Sequence, residues 1–558
     1  MKLRSRDILR VPENSMQRSL FKSMGFDDQS LSNPIIGIAN SWNTIVSGSY
    51  NLRMISERVQ EGIWQAGGTP VEFGVISACD GIAQGHEGMH YILPTREIIA
   101  NSVELMVQAH RLDGIVLLGS CDKVIPGMLM AAARLDLPAI LLPGGPMEGG
   151  ACFDGRSSDI TALTEGLGML KAGKIKLAEL KELEDTAGPA CGSCSFLGTA
   201  NTMSIISEAM GMSLPGAGTA LATSAKRMRL ARKTGREIVK LIKNNIGARK
   251  IINRKSLENA IKTTISIGGS TNAILHLLAI AYEAEVELTI DLFDHYSKEI
   301  PYLAKIYPSG KQYNVPDFER AGGVQALLIN LLEYLAEEVL TVTGETLKDN
   351  LAGKDFPETD LIRPVDSPHS GEGGVAILKG NIAPETGVAK PSAIHPDLHK
   401  FSGEAIVFNS EEEANSAIIN EQVKAGNVIV IRYEGPKGGP GMREMYKPLK
   451  LLYGKGLALK TALITDGRFS GTNNGCFVGH ISPEAFEGGP LAAIKNGDII
   501  TIDIQNRKIN LDITEQEIKA RMANWTPPKL EITGGYLATY ARLAESAAKG
   551  AIIDARWV

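Results

Sequence analysis

Short, almost uninterrupted apolar runs alternate with amphipathic segments in the first third of the chain. The runs are NPIIGIAN, VEFGVISA, GIVLLGS and LPAILLPGG, at positions 33–40, 71–78, 114–120 and 137–145. Continuous apolar strands are typical of a parallel sheet covered on both faces, and the amphipathic segments between them supply its crossover helices. This pattern predicts an α/β fold, with ligands bound outside the carboxyl ends of the strands.

The apolar pattern changes twice further along the chain. From about residue 155 to 340 it is mainly helical, with glycine-rich breaks at GPACGSCSFLGTANTM and IGGSTNAILHLL. Residues 346–372 are rich in Pro, Gly, Asp and Ser and lack periodicity, which is typical of a linker. The β-rich runs GVAILKG, EAIVFN, NVIVIRYEG, TALITDGRFSG and GDIITIDIQNRKINLDI follow, separated by turns. We predict a parallel-sheet α/β domain with a helical portion over 1–345 and a β-barrel-like domain over 373–558.

Composition narrows the class of protein. A chain of 558 residues with 44% hydrophobic and 22% charged residues has the balance of a globular protein of several domains. Its net charge of -5 argues against a nucleic-acid partner. The first residues lack the apolar core of a signal peptide, and no apolar run is long enough to span a bilayer. We therefore expect no membrane partner and a cytoplasmic location.

The segment HEGMH at 86–90 matches the H-E-x-x-H pattern of zinc proteases. That chemistry needs an α-helix, which places both histidines on one face. Gly81, Gly85 and Gly88 disfavour a helix here, and Pro94 is typical of the start of the next one. We expect HEGMH to lie in a loop before a helix whose apolar stripe contains Ile99 and Val103.

The cysteines are too few for a disulfide framework, and five of the six lie in the first 200 residues. In SCDKVIPGM, a thiol stands beside a carboxylate at the end of a predicted strand, offering a soft ligand for iron and a hard oxygen ligand for magnesium. In CGSCSFLGTANTM, Cys194 precedes a predicted helix whose free amides would stabilise a thiolate. Cys152 and Cys476 are interpreted as small buried hydrophobic residues.

The C-G-S-C motif leaves other interpretations open. A structural zinc site would require a second pair of ligands, and a redox C-x-x-C motif usually opens a helix directly after a strand. The segment LAELKELEDTAGPA, which precedes the motif, is typical of a helix followed by a loop. Two buried thiols in a tight loop would also account for the motif.

Nine segments together resemble the dihydroxy-acid dehydratase family, which includes sugar-acid and phosphogluconate dehydratases. They are ANSWN, DGIAQGHEGM, SCDKVIPGM, GGPME, CGSCSFLGTANTM, GGSTNAILHL, RYEGPKGGPGMREM, TDGRFSGTNNG and GHISPEA. The resemblance runs from about residue 30 to the end and keeps the family's order and approximate spacing. It also makes HEGMH an accidental match within a glycine-flanked loop.

The resemblance implies a set of functional residues. It implies an iron–sulfur cluster, 2Fe–2S in preference to 4Fe–4S, bound by Cys121 and Cys194. It implies a Mg²⁺ ion whose ligands are Asp80, Asp122, Glu444 and Lys123. Lys123 would be N-carboxylated, because an ordinary ammonium has only donors. Ser470 is implied as the base that removes the substrate proton, with its alkoxide stabilised by the nearby metal ion.

One position departs from the family pattern. Members with a 2Fe–2S cluster have a third cysteine in the segment that reads ANSWNTIVSGSYNL here, and Gly48 occupies its place. Other members also have glycine there. The third cluster ligand is therefore open, with Cys79 and Cys191 as candidate thiols.

The reaction implied is dehydration of 2,3-dihydroxy-3-methylbutanoate and its methylvalerate homologue to 2-keto acids, in valine and isoleucine biosynthesis. The cluster would act as a Lewis acid on the C3 hydroxyl, and magnesium would stabilise charge at C2 as its proton leaves. An aldonic-acid dehydratase, for arabinonate or xylonate, is the alternative, and a non-catalytic iron–sulfur protein is a remote one. The small-molecule substrate would bind between the two domains, and a homo-oligomer is expected from the family.

Overall fold

The computed structural model describes residues 3–171, 173–469, 475–530 and 532–554. Its first sheet has four parallel strands in the order β2-β1-β3-β4. The strands are β1 (Ile35–Asn40), β2 (Thr69–Gly74), β3 (Gly114–Gly119) and β4 (Ala139–Pro143). β1, β3 and β4 are buried at every residue, which confirms the sheet predicted from their apolar runs. β2 ends earlier than predicted, at Gly74, so Cys79 lies in the connection that follows it.

Seven helices accompany this sheet and include its crossovers. They are α1 (Arg6–Leu9), α2 (Ser15–Ser23), α3 (Asp28–Ser32), α4 (Leu52–Gln65), α5 (Asp80–Ala83), α6 (Pro94–Ala109) and α7 (Val124–Leu135). α6 begins at Pro94 as predicted, because proline at the first helical position sacrifices no backbone hydrogen bond. Ile99 and Val103 are fully buried on its apolar stripe.

The predicted helical portion follows. A two-stranded hairpin, β5 (Cys152–Phe153) and β6 (Arg156–Ser157), precedes it. The helices are α8 (Ala162–Lys171), α9 (Leu177–Thr186), α10 (Thr199–Ala209), α11 (Ala225–Lys243), α12 (Ala248–Ile251), α13 (Arg254–Ser266), α14 (Asn272–Glu283), α15 (Ile290–Glu299), α16 (Val315–Arg320), α17 (Gly323–Asn330) and α18 (Leu347–Leu351). Both glycine-rich breaks fall between helices, before α10 and before α14. They bring loop residues close to the carboxyl ends of the first sheet.

Residues 346–372, predicted as a linker, are mostly irregular but are packed against the helical portion. Thr346 and Asp349 form a capping box that starts α18, and Leu347 and Leu351 are buried. Further on, Ile362 forms a bridge with Ala304. The predicted domain boundaries stay a prediction, although the segment separates the two sheets along the chain.

The second sheet has eight strands, in the order β16-β15-β9-β10-β12-β14-β8-β7. The strands of this half are β7 (Ala376–Leu378), β8 (Thr386–Ala389), β9 (Lys400–Phe408), β10 (Val428–Ile431), β11 (Glu444–Met445), β12 (Ala462–Thr465), β13 (Arg468–Phe469), β14 (Cys476–Ser482), β15 (Ile499–Asp503) and β16 (Lys508–Leu511). Just past β7, Lys379 bridges Lys508 at the start of β16. This bridge joins the two edges of the sheet, so the predicted barrel-like domain is confirmed.

The barrel strands alternate their side chains between two cores. Val428 and Val430 of β10 belong to one core, and Ile429 and Ile431 to the other. The second core is completed by two helices, and two more follow the barrel in the chain. These are α19 (Glu411–Ile419) and α20 (Lys447–Gly454), then α21 (Glu515–Ala523) and α22 (Gly535–Leu543). Successive side chains of a strand point to opposite faces, and here both faces are buried. This is why apolar runs of this kind form strands.

The end of the chain packs back on the first half. Arg96 of α6, fully buried, donates to the carbonyl oxygens of Gly550 and Ala551 at 2.9 and 3.0 Å. Tyr540 also donates to the carbonyl of Ala551. None of the helices within the described ranges is both long and apolar enough to cross a membrane.

Candidate metal and substrate site

A cavity of about 180 Å³ lies between the two halves of the chain. Its walls include Asp80 and Asp122 from the first half and Glu444 and Tyr446 from the second. Asp122 follows β3 by three residues, so the cavity lies at the carboxyl end of the first sheet, as predicted. A larger cavity of about 600 Å³ adjoins it, and Thr164 lines both.

Three carboxylates meet in the smaller cavity. Asp80, Asp122 and Glu444 each offer an oxygen, and these oxygens lie within 4.8 Å of one another. Asp80 and Glu444 are buried, while Asp122 is partly exposed. Three like charges at this separation are not stable together without a cation, so the arrangement has the donor set and the charge of a site for a hard divalent metal.

Lys123 provides a positive charge at the same place. Its ammonium forms an ion pair with Asp80 and lies 3.8 Å from Asp122 Oδ2 and 3.9 Å from Glu444 Oε2. The side chain is 1% exposed, so solvent does not contribute. The ammonium thus stands among the carboxylates where a metal cation would balance them. Asp80 Oδ1 is buried with no hydrogen-bond partner among the described residues, which leaves it available as a ligand.

The electrostatics of Asp122 reflect this crowding. Burial, followed by the nearby charges of Asp80 and Glu444, raises the pKa of Asp122 to about 8. The backbone amide of Ala200, in the first turn of α10, donates to Asp122 Oδ1 at 3.1 Å. This amide thus serves Asp122, and the prediction that the amides of α10 stabilise a Cys194 thiolate stays a prediction. Burial raises the pKa of Cys194 well above its usual value.

Glu444 is held in place by residues that the sequence did not identify individually. Asn272, at the start of α14, donates to Glu444 Oε2 at 2.7 Å, and Arg468 of β13 donates to the same oxygen at 3.0 Å. Arg468 also donates to Asn272 Oδ1 at 3.2 Å. Asn272 and Arg468 occur in the motifs GGSTNAILHL and TDGRFSG, but their shared partner was not apparent because it is distant in sequence.

Three thiols gather beside the carboxylates. Cys121 is buried and has a φ of 72°, a strained value for a residue with a side chain. The thiols of Cys79 and Cys121 are neighbours, and the interaction with Cys121 lowers the pKa of Cys79 to about 7. Cys194 is close enough for its charge to act on Cys121. These soft ligands beside hard oxygens fit the predicted iron–sulfur and magnesium pair.

Cys476, Cys152 and Ser470 are the remaining residues about which the sequence makes a prediction. Cys476 is buried as expected, whereas Cys152 is exposed on the β5–β6 hairpin, so its interpretation as a buried residue is wrong. Ser470, the predicted base, lies outside the described residues. Its preceding residue ends β13, the strand that carries Arg468.

HEGMH forms no zinc site in the part of the chain that the structure describes. Residues Glu87–Tyr91 form a 3₁₀ helix, so His86 and His90 are not arranged on one α-helical face. His90 Nδ1 lies 2.9 Å from the carbonyl oxygen of Pro440. A Cβ on the neighbouring Gly441 would lie 1.8 Å from the carbonyl oxygen of His90. The glycine-rich segment GPKGGPG at 435–441 thus approaches the backbone of HEGMH.

Comparison with known proteins places this geometry in context. Residues 33–350 match the N-terminal region of the dihydroxy-acid/6-phosphogluconate dehydratases, and residues 360–551 match their C-terminal region. A relative from Caldanaerobacter subterraneus subsp. tengcongensis, named dihydroxy-acid dehydratase, is 50% identical over 99% of both chains. One from Pyrococcus furiosus with the same name is 49% identical over 99% of this chain and 100% of its own. A third relative with this name, from Ignicoccus hospitalis, is 48% identical over 98% of this chain and 99% of its own.

Proposed function

The chain belongs to the dihydroxy-acid/6-phosphogluconate dehydratase family, and we propose that it dehydrates 2,3-dihydroxy-3-methylbutanoate and its methylvalerate homologue. The products are 2-keto acids for valine and isoleucine biosynthesis. Near 50% identity over the whole length with relatives named dihydroxy-acid dehydratase is the observation that carries this substrate assignment. The enzyme is a hydro-lyase, and the alternative of an aldonic acid has no comparable support.

The shape and lining of the cavity agree with such a substrate. Ile160 and Phe196 also line it and offer apolar surface to a branched alkyl tail. Thr161, Thr164, Thr199 and Tyr446 are the hydroxyl-bearing side chains among its lining residues.

We propose that Asp80, Asp122 and Glu444 bind Mg²⁺, and that Cys121 and Cys194 bind an iron–sulfur cluster. When bound, magnesium stabilises negative charge at the carboxylate and C2 hydroxyl, and the cluster supplies a Lewis acid for loss of the C3 hydroxyl. The chain's own contribution is orientation. Asn272 and Arg468 fix Glu444 Oε2, and Ala200 fixes Asp122 Oδ1.

Lys123 joins the metal ligands only in a carboxylated form. Carboxylation would replace its positive charge by a negative one, leaving four acidic groups in a buried space with Arg468 as the nearby cation. Such a site is stable only around a metal ion. We therefore expect Lys123 to be carboxylated when magnesium is bound. Carbon-13 NMR after exchange with labelled bicarbonate should show a carbamate signal that requires Mg²⁺ and disappears in Lys123→Arg.

Ser470 is proposed as the base that takes the C2 proton. Ser470→Ala should retain iron, sulfide and magnesium at wild-type content while losing turnover, because only the proton acceptor is removed. Near-normal turnover would contradict the assignment. Ser402→Ala, on strand β9 of the barrel and exposed, is the matched control and should leave activity unchanged.

The substrate assignment is tested by 2-keto acid formation with protein purified without oxygen and supplied with Mg²⁺. We expect kcat/KM for 2,3-dihydroxy-3-methylbutanoate to exceed that for arabinonate and xylonate by at least about 10-fold, the lower end of what a methyl-sized difference in an apolar pocket provides. Preference for an aldonate would contradict the substrate and leave the reaction type intact.

A further inference from the structure

We propose that Cys79 supplies the third thiolate of the iron–sulfur site, together with Cys121 and Cys194. This inference rests on the proposed function, since it assumes that the chain holds a cluster. It concerns the position at which this chain departs from its cysteine-bearing relatives, Gly48. The relevant observations are the contacts of the thiols themselves.

Cys79 lies in direct contact with one proposed cluster ligand and close to the other. Its thiol neighbours that of Cys121 and lies near enough to Cys194 for their charges to interact. The three cysteines come from three separate segments, namely the connection after β2, the turn after β3 and the loop before α10. Free thiols from three segments seldom converge by packing alone, whereas a cluster needs soft ligands from several directions.

The backbone around Cys79 also suits a bound thiolate. The nearby backbone amides of Gly81 and Ile82 favour its thiolate form, and a Cβ on Gly81 would lie 3.7 Å from Cys79 Sγ. Hydrogen bonds to thiolate sulfur are one of the means by which proteins stabilise and tune iron–sulfur clusters. Asp80, the next residue, faces the metal cavity, so Cys79 lies at the boundary between the two proposed metal sites.

Position 48 has no room for a thiol of its own. A Cβ on Gly48 would lie 2.7 Å from Ser120 Oγ and 2.8 Å from Cys121 Sγ. Both distances are shorter than a carbon atom tolerates, so a side chain there would displace Cys121. The absence of a side chain at Gly48 lets Cys121 occupy this space, and Cys79 supplies the thiol that neighbours Cys121.

Cys191 is the other candidate, and its surroundings are different. It is partly exposed, and burial and its own backbone amide are the influences on its pKa. The thiols of Cys79, Cys121 and Cys194 are not among the influences on its pKa. Cys191 therefore serves as a matched control, a cysteine three positions from a proposed ligand but outside the group.

The test compares Cys79→Ser and Cys191→Ser with the wild-type chain, all purified without oxygen. Iron and sulfide per chain, visible absorbance and the Mössbauer spectrum are measured. Cys79→Ser should lose most of its iron and sulfide, or keep a cluster whose Mössbauer parameters shift because oxygen has replaced sulfur. Cys191→Ser should match the wild type in content and spectrum.

Each other outcome is decisive as well. An unchanged spectrum and iron content in Cys79→Ser, or cluster loss in Cys191→Ser, would overturn the proposal while leaving the proposed function intact. A wild-type chain that takes up neither iron nor sulfide would refute the cofactor itself. If Cys79→Ser does not fold, as judged by the melting temperature of cluster-free protein, Cys79→Ala replaces it, because alanine is smaller and introduces no polar group.

Discussion

At the scale of single residues, the site is dominated by the cost of burying charge. Asp80, Asp122 and Glu444 share one small cavity, and Lys123 and Arg468 are the cations that contact them. The protein reduces the repulsion by holding a proton on Asp122, whose pKa is raised to about 8. A bound divalent cation would make that proton unnecessary, so metal binding and protonation compete for the same oxygen atoms.

The affinity for Mg²⁺ should therefore increase with pH up to about 8. Below this value Asp122 is protonated in the metal-free chain and must release its proton, so the dissociation constant should fall by up to about 10-fold per pH unit and level off above pH 8. Calorimetry in buffers of different ionisation enthalpy would count the released proton. Asp122→Asn should bind more weakly and without this dependence, and a constant affinity between about pH 6 and 8 would contradict the argument.

The raised pKa of Asp122 also makes the stability of the metal-free chain depend on pH. The folded state holds the Asp122 proton more tightly than the unfolded state, because the pKa is raised from 3.8 to about 8. The contribution to stability is complete below the unfolded pKa and is lost as the pH rises through the folded one. The titration of Asp122 should thus make metal-free protein melt at a lower temperature near pH 8 than near pH 6.

The sequence indicated some of these residues and not others, for a physical reason. Cys121, Asp122 and Lys123 are recognisable because unusual chemistry follows an apolar strand, and local sequence shows that. Glu444 and Ser470 could be named only through family resemblance. Asn272 and Arg468 both donate to Glu444, which is 172 residues from Asn272 and 24 residues from Arg468 along the chain. Spacing in the sequence does not reveal such contacts.

At the scale of elements, close helix packing supports the first sheet. α4 and α11 cross where Gly62 and Gly235 face each other's backbones. A Cβ on Gly62 would lie 2.0 Å from the carbonyl oxygen of Arg232, and one on Gly235 would lie 2.1 Å from that of Val59. Since α4 begins four residues after Gly48, the crossing also fixes the segment beside the thiols.

Gly62→Ala and Gly235→Ala should each destabilise the chain by about 1–3 kcal/mol, because the added carbon forces two backbones apart. Gly168→Ala is the matched control. Gly168 lies within α8 with no atom within 4 Å of its would-be Cβ, so alanine should be neutral or stabilise by up to about 1 kcal/mol. Thermal melts would compare the three variants, and equal melting temperatures would refute a tight crossing.

The elements were predictable to the extent that their burial is periodic. The four apolar runs of the first sheet and the runs of β7, β9, β10, β12, β15 and β16 were recognised, whereas β8 and β14 were not. β8 reads TGVA, whose glycine lowers strand propensity, and β14 reads CFVGHIS, where glycine and histidine interrupt the apolar run although every residue is buried. Tertiary burial, which a local window does not show, makes both of them strands.

At the scale of the whole molecule, the site exists only where the two halves meet. Asp80 and Asp122 follow the first sheet, while Glu444 belongs to β11 and is held by Arg468 from the second half and Asn272 from the first. The chain end adds a second connection, since Arg96 binds the carbonyl groups of Gly550 and Ala551. A ligand that binds between the halves should accordingly stabilise both at once.

Mg²⁺ should therefore raise the melting temperature of the chain in one transition. An ion bound by both halves stabilises the native state by about 2.7 kcal/mol at 100 times its dissociation constant, which for a chain of this length amounts to a few degrees. Glu444→Gln should abolish the shift, because the second half then loses its ligand. Glu404→Gln, exposed on β9, should retain it. Two separate transitions in differential scanning calorimetry, of which Mg²⁺ moved one alone, would show that the ion is held by one half and that the halves unfold independently.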